Sequence, residues 1–179
     1  MRMRAGAVWF CALVLMVLNG SAVRGQTGGS SGSGKEAVLK AAETGKLFPE
    51  KVFFRGQSAT VQARNSSGVR YDDGFVVMAA LVDSSGYSSG LKEKYQGYLI
   101  NEVPVEIGGQ TLKPGQYGFG FVEGNKFVVM DVGANEVLQA NSTKDTEMKR
   151  PVPLQIVSTA PGKYKLYKGR DYVEFARAK

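Results

Sequence analysis

No histidine occurs anywhere in the chain, and its one cysteine, Cys11, stands in an apolar stretch near the N-terminus. Those two shortages exclude much chemistry. Ser-His-Asp and Cys-His catalysis both need an imidazole base, and the usual zinc sites need imidazole or thiolate. A reactive centre would have to be assembled from carboxylates, Lys, Arg, Tyr, Ser or Thr. Long apolar runs are scarce as well. The longest, Ala5 to Leu18, falls short of the roughly 20 residues that a membrane-spanning helix requires.

That run has a basic start, Met1-Arg2-Met3-Arg4, and a small-residue exit, Gly20-Ser21-Ala22-Val23-Arg24-Gly25. Together these are the parts of a cleavable export signal. Residues 1–25 are therefore expected to leave as a signal peptide, with a cut after Gly25 or, alternatively, after Ala22. The chain that remains has no thiol, so no disulfide can support it and an apolar core must do so. A thiol-free exported domain of this size favours a periplasmic or extracellular site and a bacterial source. The leader also carries Arg2, Arg4 and Arg24, so the net charge of +7 falls to +4 once it is gone. No dense basic stripe of the kind that grips nucleic acid remains.

Gln26 to Gly34 is a Gly/Ser-rich linker with nothing to bury, and residues 26–34 are expected to be disordered. Lys35 to Thr44 is rich in helix formers, with Val38, Leu39 and Ala42 on one face and Gly45 at a capping position, which predicts a short helix over about 35–44. From Lys51 onward the pattern is short strands and turns. Phe75 to Val82 is apolar without alternation and reads as a central strand covered on both faces. Asn65-Ser66-Ser67-Gly68, Asp72-Asp73-Gly74, Gly108-Gly109, Gly124-Asn125, Pro161-Gly162 and Gly169-Arg170 read as turns. Further strands are expected at 97–101, 103–107, 116–123, 126–132, 136–140, 152–158, 164–168 and 172–176. The fold this predicts is all-β: residues 35–179 as a single antiparallel β-sandwich or flattened β-barrel with one short N-terminal helix.

Within it, Val103 to Val122 (VPVEIGGQTLKPGQYGFGFV) resembles the Gly-Gly-x-x-Leu-x-x-Gly-x-Tyr hairpin of small exported bacterial β proteins of uncharacterised function. The resemblance covers about twenty residues of turn-rich pattern. It implies an all-β fold and a bacterial source, and no catalytic residue comes with it.

Several local patterns imitate active-site motifs. Gly29 to Lys35 matches the start of a phosphate-binding loop, but Glu36 stands where the magnesium-binding Ser or Thr is required and no strand precedes it. Ser89-Gly90-Leu91-Lys92 has the Ser-x-x-Lys spacing without the companion elements of penicillin-recognising enzymes. Asp72 and Asp73 fit a hairpin turn, and Asp131 reads as the solvated end of a strand. Tyr117, Phe119 and Phe121 alternate with Gly118 and Gly120, which predicts an aromatic core stripe on one face and close approach of another segment on the other. The basic C-terminal residues Lys163, Lys165, Lys168, Arg170, Arg177 and Lys179 read as solvated strand positions. No metal, cofactor or catalytic residue is implied.

The long polar loop Asp83 to Gln96 stands out, with a helical turn near Leu91 to Tyr95, because long loops in small β domains often carry function. Tyr87, Tyr95 and Tyr98 are expected to stack on or hydrogen-bond a ligand, and Lys92 or Lys94 to attract an anion. The function this favours is a non-catalytic exported module binding a small molecule, a glycan or an envelope protein, with no nucleic-acid partner and no transmembrane span after signal cleavage. A structural envelope protein working through sheet edges is the alternative, and a hydrolase or lyase without His or Cys a further one.

Overall fold

Residues 34–179 are described by the computed structural model; the expected signal peptide and the linker up to residue 33 lie outside them. Two antiparallel sheets dominate. The larger runs in the order β1 (Ala37–Leu39), β3 (Gln57–Arg70), β4 (Val76–Val82), β5 (Gly97–Asn101), β8 (Gly115–Val122), β9 (Lys126–Met130), β10 (Glu136–Asn141), with β2 (Lys51–Phe54) paired to the first part of β3. The smaller runs β12 (Gln155–Ala160), β13 (Lys163–Lys168), β14 (Asp171–Arg177), β6 (Val105–Ile107), β7 (Gln110–Leu112), and β11 (Thr143–Lys144) joins it through β14. Helices α1 (Ala41–Leu47) and α2 (Ser89–Lys94) complete the described chain. The sheets form a sandwich and do not close into a barrel.

The central strand β4 explains the layering. Val77 and Ala79 point into the space between the sheets, where they meet Leu99, Phe119, Phe127, Ile156 and Val173. Met78, Ala80 and Val82 point the other way, onto Phe54, Tyr87, Tyr95 and Tyr98. The large sheet is thus covered twice, by the small sheet on one face and by the β2–β3 hairpin, α1 and α2 on the other. Each fully buried Val, Leu or Phe stabilises such a core by about 1.5–3 kcal/mol, which is how a domain without disulfides holds together.

Two expectations about local structure are corrected. Asn65 to Gly68 is not a turn: β3 continues through it to Arg70, with a bulge between Gln62 and Ser66. The small polar residues serve packing. The buried Ser66 hydroxyl meets the Thr44 hydroxyl at 2.7 Å and donates to the Ala63 carbonyl at 2.5 Å. Nor does a helix span 35–44. Ala37 to Leu39 pair with Arg70 to Gly68 as an edge strand, which buries Leu39. The helix starts only at Ala41, where the Glu43 carboxylate accepts the Lys40 N–H, and it runs through Gly45 to Leu47. Phe48, buried, and Pro49, which cannot donate to the helix ladder, end it. The helical turn in the long loop is a second helix, α2. Gly108-Gly109 (φ 58° and 78°) and Gly124-Asn125 (φ 75° and 56°) are tight hairpin turns in the left-handed region, as their composition predicts.

Candidate functional site

The loop residues expected to meet a ligand go mostly inward. Tyr95 is fully buried, its ring stacked on Phe54 with centroids 3.9 Å apart. Tyr87 meets the Tyr95 ring edge-on at 5.1 Å, and its hydroxyl donates to the Phe54 carbonyl at 3.0 Å. Tyr98, buried on β5, donates to the Gln116 side chain at 3.0 Å. Burial pushes all three phenols above their ordinary pKa. These tyrosines fasten the loop and the hairpin to the large sheet, and none presents a ring face to solvent. Lys92 and Lys94 are exposed on α2, and Lys94 is held by Glu136 in a 2.5 Å ion pair.

The cause lies in β8. Tyr117, Phe119 and Phe121 do face the inter-sheet core, so Gly118 and Gly120 line the opposite face. A Cβ at Gly118 would stand 2.5 Å from Phe54 Cε2 and 2.8 Å from Tyr95 Cδ2, and one at Gly120 would collide with the Lys94 carbonyl. The two glycines form a trough that the rings and the end of α2 fill.

Other singled-out groups have structural partners. The Asp131 carboxylate accepts from the Asn135 side chain and from the Gly133 and Asn135 N–H groups, which close the β9–β10 turn and hold its pKa below the usual range. Arg177 pairs with Asp73 at 2.6 Å and lies over the Tyr71 ring. Desolvation is the largest single influence on the Asp73 carboxyl and raises its pKa, but the Arg177 hydrogen bond, the Phe75 N–H and the Arg177 charge together outweigh it and leave the group below its ordinary pKa. Beside them Tyr164 donates to the Glu36 carboxylate. Burial, then the Glu36 charge, pushes Tyr71 up to about 12, and burial with the Glu36 hydrogen bond pushes Tyr164 higher still. A tyrosine that acts as base or nucleophile needs its phenolate made accessible; these two are kept as neutral phenols. They seat the start of β1.

An open, polar place remains on the solvent face of the small sheet. On one side β14 pairs with β11 as far as Tyr172 and with β6 from Phe175 onward, so Val173 and Glu174 have no strand partner there. The interruption leaves a notch of about 310 Å³ lined by Gly108, Asn141, Thr143, Tyr172, Val173 and Glu174. A second hollow, of about 270 Å³, shares Gly108 and Glu174 and reaches Glu106, Thr159 and Lys163. Tyr172 is fixed in place: Lys165 Nζ lies 4.0 Å from its ring centroid, and Tyr167 packs beside it at 5.0 Å. Lys165 also approaches Glu174 at 3.7 Å. Acids and lysines are thus both present on the rim, among amide, hydroxyl and phenol groups.

These residues escaped the sequence reading. Asn141 to Thr143 looks like ordinary turn sequence, and Tyr172 like any strand residue. One signal was available: a tight turn at Gly169-Arg170 places Tyr167 opposite Tyr172, the pairing observed. No protein-family model, curated protein or solved structure matches the chain.

Proposed function

We propose that the chain is an exported, non-catalytic binding module whose notch beside Tyr172 takes an uncharged glycan. The observation that carries this reading is the interrupted ladder at Val173 and Glu174. Of the two, Val173 turns its N–H and C=O toward β13, so the Glu174 N–H and C=O are the hydrogen-bonding positions at the notch that a ligand rather than a neighbouring strand can satisfy. Around them stand an immobilised tyrosine, an amide and a hydroxyl, the equipment that recognises a polyol. The mixture of Glu106 and Glu174 with Lys163 and Lys165 gives neither an anion nor a cation a clear advantage. The lack of histidine and of any thiol beyond Cys11 supports binding over catalysis.

Amide-resolved NMR tests it. Soluble β-linked oligomers of glucose and of N-acetylglucosamine are titrated into the chain from Gln26 onward. Shifts centred on Gly108, Asn141 to Thr143 and Tyr172 to Glu174, abolished in Tyr172→Ala, are expected. Shifts centred elsewhere, or their survival in Tyr172→Ala, refute the assignment.

A second reading rests on the sheet edges. Where β1 and β12 diverge they leave a cleft of about 460 Å³ between Lys35 to Val38 and Ser158 to Pro161. Each strand pairs on one side only, so an extended segment of an envelope protein could lie along either edge. Pairing of that kind protects the amides of Ser158 to Ala160 from hydrogen exchange, whereas glycan binding protects that of Glu174.

A further inference from the structure

We infer that the outward face of the β2–β3 hairpin docks on an anionic lipid surface. The sequence from Lys51 to Tyr71 contains Lys51, Arg55, Arg64 and Arg70 and no acidic residue. Strand alternation sorts its first part: Val52 and Phe54 are buried against the large sheet, while Lys51 and Phe53 face solvent and Arg55 follows at the exposed tip. Phe53 is 59% exposed, the most of any large apolar side chain among the described residues. Val132, also exposed, extends the apolar surface at the tip, where its carbonyl accepts the Arg55 N–H at 2.7 Å.

The cations of this face are available. Among the described residues the ion pairs are Lys94–Glu136, Lys165–Glu174 and Arg177–Asp73; Lys51, Arg55 and Arg64 take part in none. Glu136 lines the same hollow as Arg55 but is already engaged by Lys94. The C-terminal strands show the contrast: two of their cations, Lys165 and Arg177, are spent on acids and aromatic rings.

A bare phenyl ring between two free cations is complementary to a lipid headgroup layer. The ring enters the acyl boundary while Lys and Arg meet the phosphates. A soluble polyanion would use the charges and have no use for Phe53, so lipid is the partner the face fits. The contact proposed is with the headgroup layer; no helix of the described residues is long and apolar enough to cross a membrane. The face lies across the large sheet from the small one, so docking leaves the notch at Tyr172 open.

Sedimentation with vesicles tests the inference, using the chain from Gln26 to Lys179, within which both cores lie entirely. Binding is expected to phosphatidylcholine vesicles containing phosphatidylglycerol, to weaken with salt, and to be lost on phosphatidylcholine alone. Removing one cation lowers partitioning about fivefold, so Lys51→Glu and Arg55→Glu lower it by more than that, and Phe53→Ser lowers it roughly fivefold to tenfold. Lys149→Glu, at an exposed position in the loop between β11 and β12, makes the same change of net charge and is expected to have little effect. Equal losses in Lys149→Glu and Lys51→Glu would reduce the effect to net charge and overturn the proposal. So would unaltered binding of Phe53→Ser together with full displacement by heparin, the mark of a polyanion site. Absence of binding to the anionic vesicles overturns it outright.

Discussion

Replacing Gly118 by alanine tests the packing that draws the tyrosine loop inward. The added methyl would stand 2.5 Å from Phe54 Cε2 and 2.8 Å from both Phe54 Cζ and Tyr95 Cδ2. Carbon atoms in good contact sit about 3.5–4.0 Å apart, so a ring must retreat by about 1 Å. Neither has room, because Phe54 and Tyr95 are fully buried, stacked on each other and flanked by Tyr87. Overpacking of this kind costs about 1–3 kcal/mol, occasionally more. Stiffening the unfolded chain returns about 0.4–1 kcal/mol. A net loss of about 1–2 kcal/mol is expected, which for a domain of this size lowers Tm by roughly 2–8 °C. Gly90→Ala is the matched control. It lies in α2, and a Cβ there meets nothing within 4 Å, so it should gain up to about 1 kcal/mol. Urea and thermal unfolding followed by circular dichroism measure both. Phe54→Leu, which removes the ring edge, should relieve much of the Gly118→Ala cost in a double-mutant cycle. If Gly118→Ala and Gly90→Ala shift stability alike, or the cycle shows no coupling, the trough does not bind the loop.

Two further outcomes follow from buried polar groups. The Ser67 hydroxyl donates to the Leu39 carbonyl at 3.0 Å and accepts the Ile156 N–H at 3.1 Å, so Ser67→Ala strands both and should cost about 2 kcal/mol, with faster hydrogen exchange at Ile156; unchanged exchange there would deny the link. Tyr71, Tyr95 and Tyr164 have folded pKa values above the ordinary phenol value, Tyr71 at about 12. Their contribution to stability is therefore complete below about pH 10 and is lost as pH rises through 12 and beyond. Ultraviolet titration should show these phenols ionising only as the protein unfolds. All eight tyrosines titrating near pH 10 in a native protein would contradict it.

Much of the fold is legible from residue pattern because turns and alternation are local. β5 matches its expected bounds, and β4, β8 and β9 lie close to theirs. The edge strand β1 is not legible, since Val38 and Leu39 suit a helix face and a half-buried strand equally, and the exposed edge of β3 decides between them. Nor is the passage of β3 through Asn65 to Gly68, where a turn-like composition serves a tight contact with α1. For the loop site, Tyr87, Tyr95 and Tyr98 look like binding groups until the two glycines of β8 are placed opposite them. Glycines alternating with aromatics call for a bulky cover, and the loop supplies it. The notch at Val173 and Glu174 is invisible in one dimension, because it arises from where β11 stops and β6 begins along β14.

Strand β3 belongs to two layers at once: beyond its bulge it lies in the large sheet between β1 and β4, and before it forms half of the outer hairpin. A tug on the hairpin therefore has no hinge to spend itself on. The load travels along one continuous backbone into the β3–β4 ladder as shear, where the rungs share it and must fail together. Whatever grips the outer hairpin of this protein pulls directly on the strand that pairs with β4.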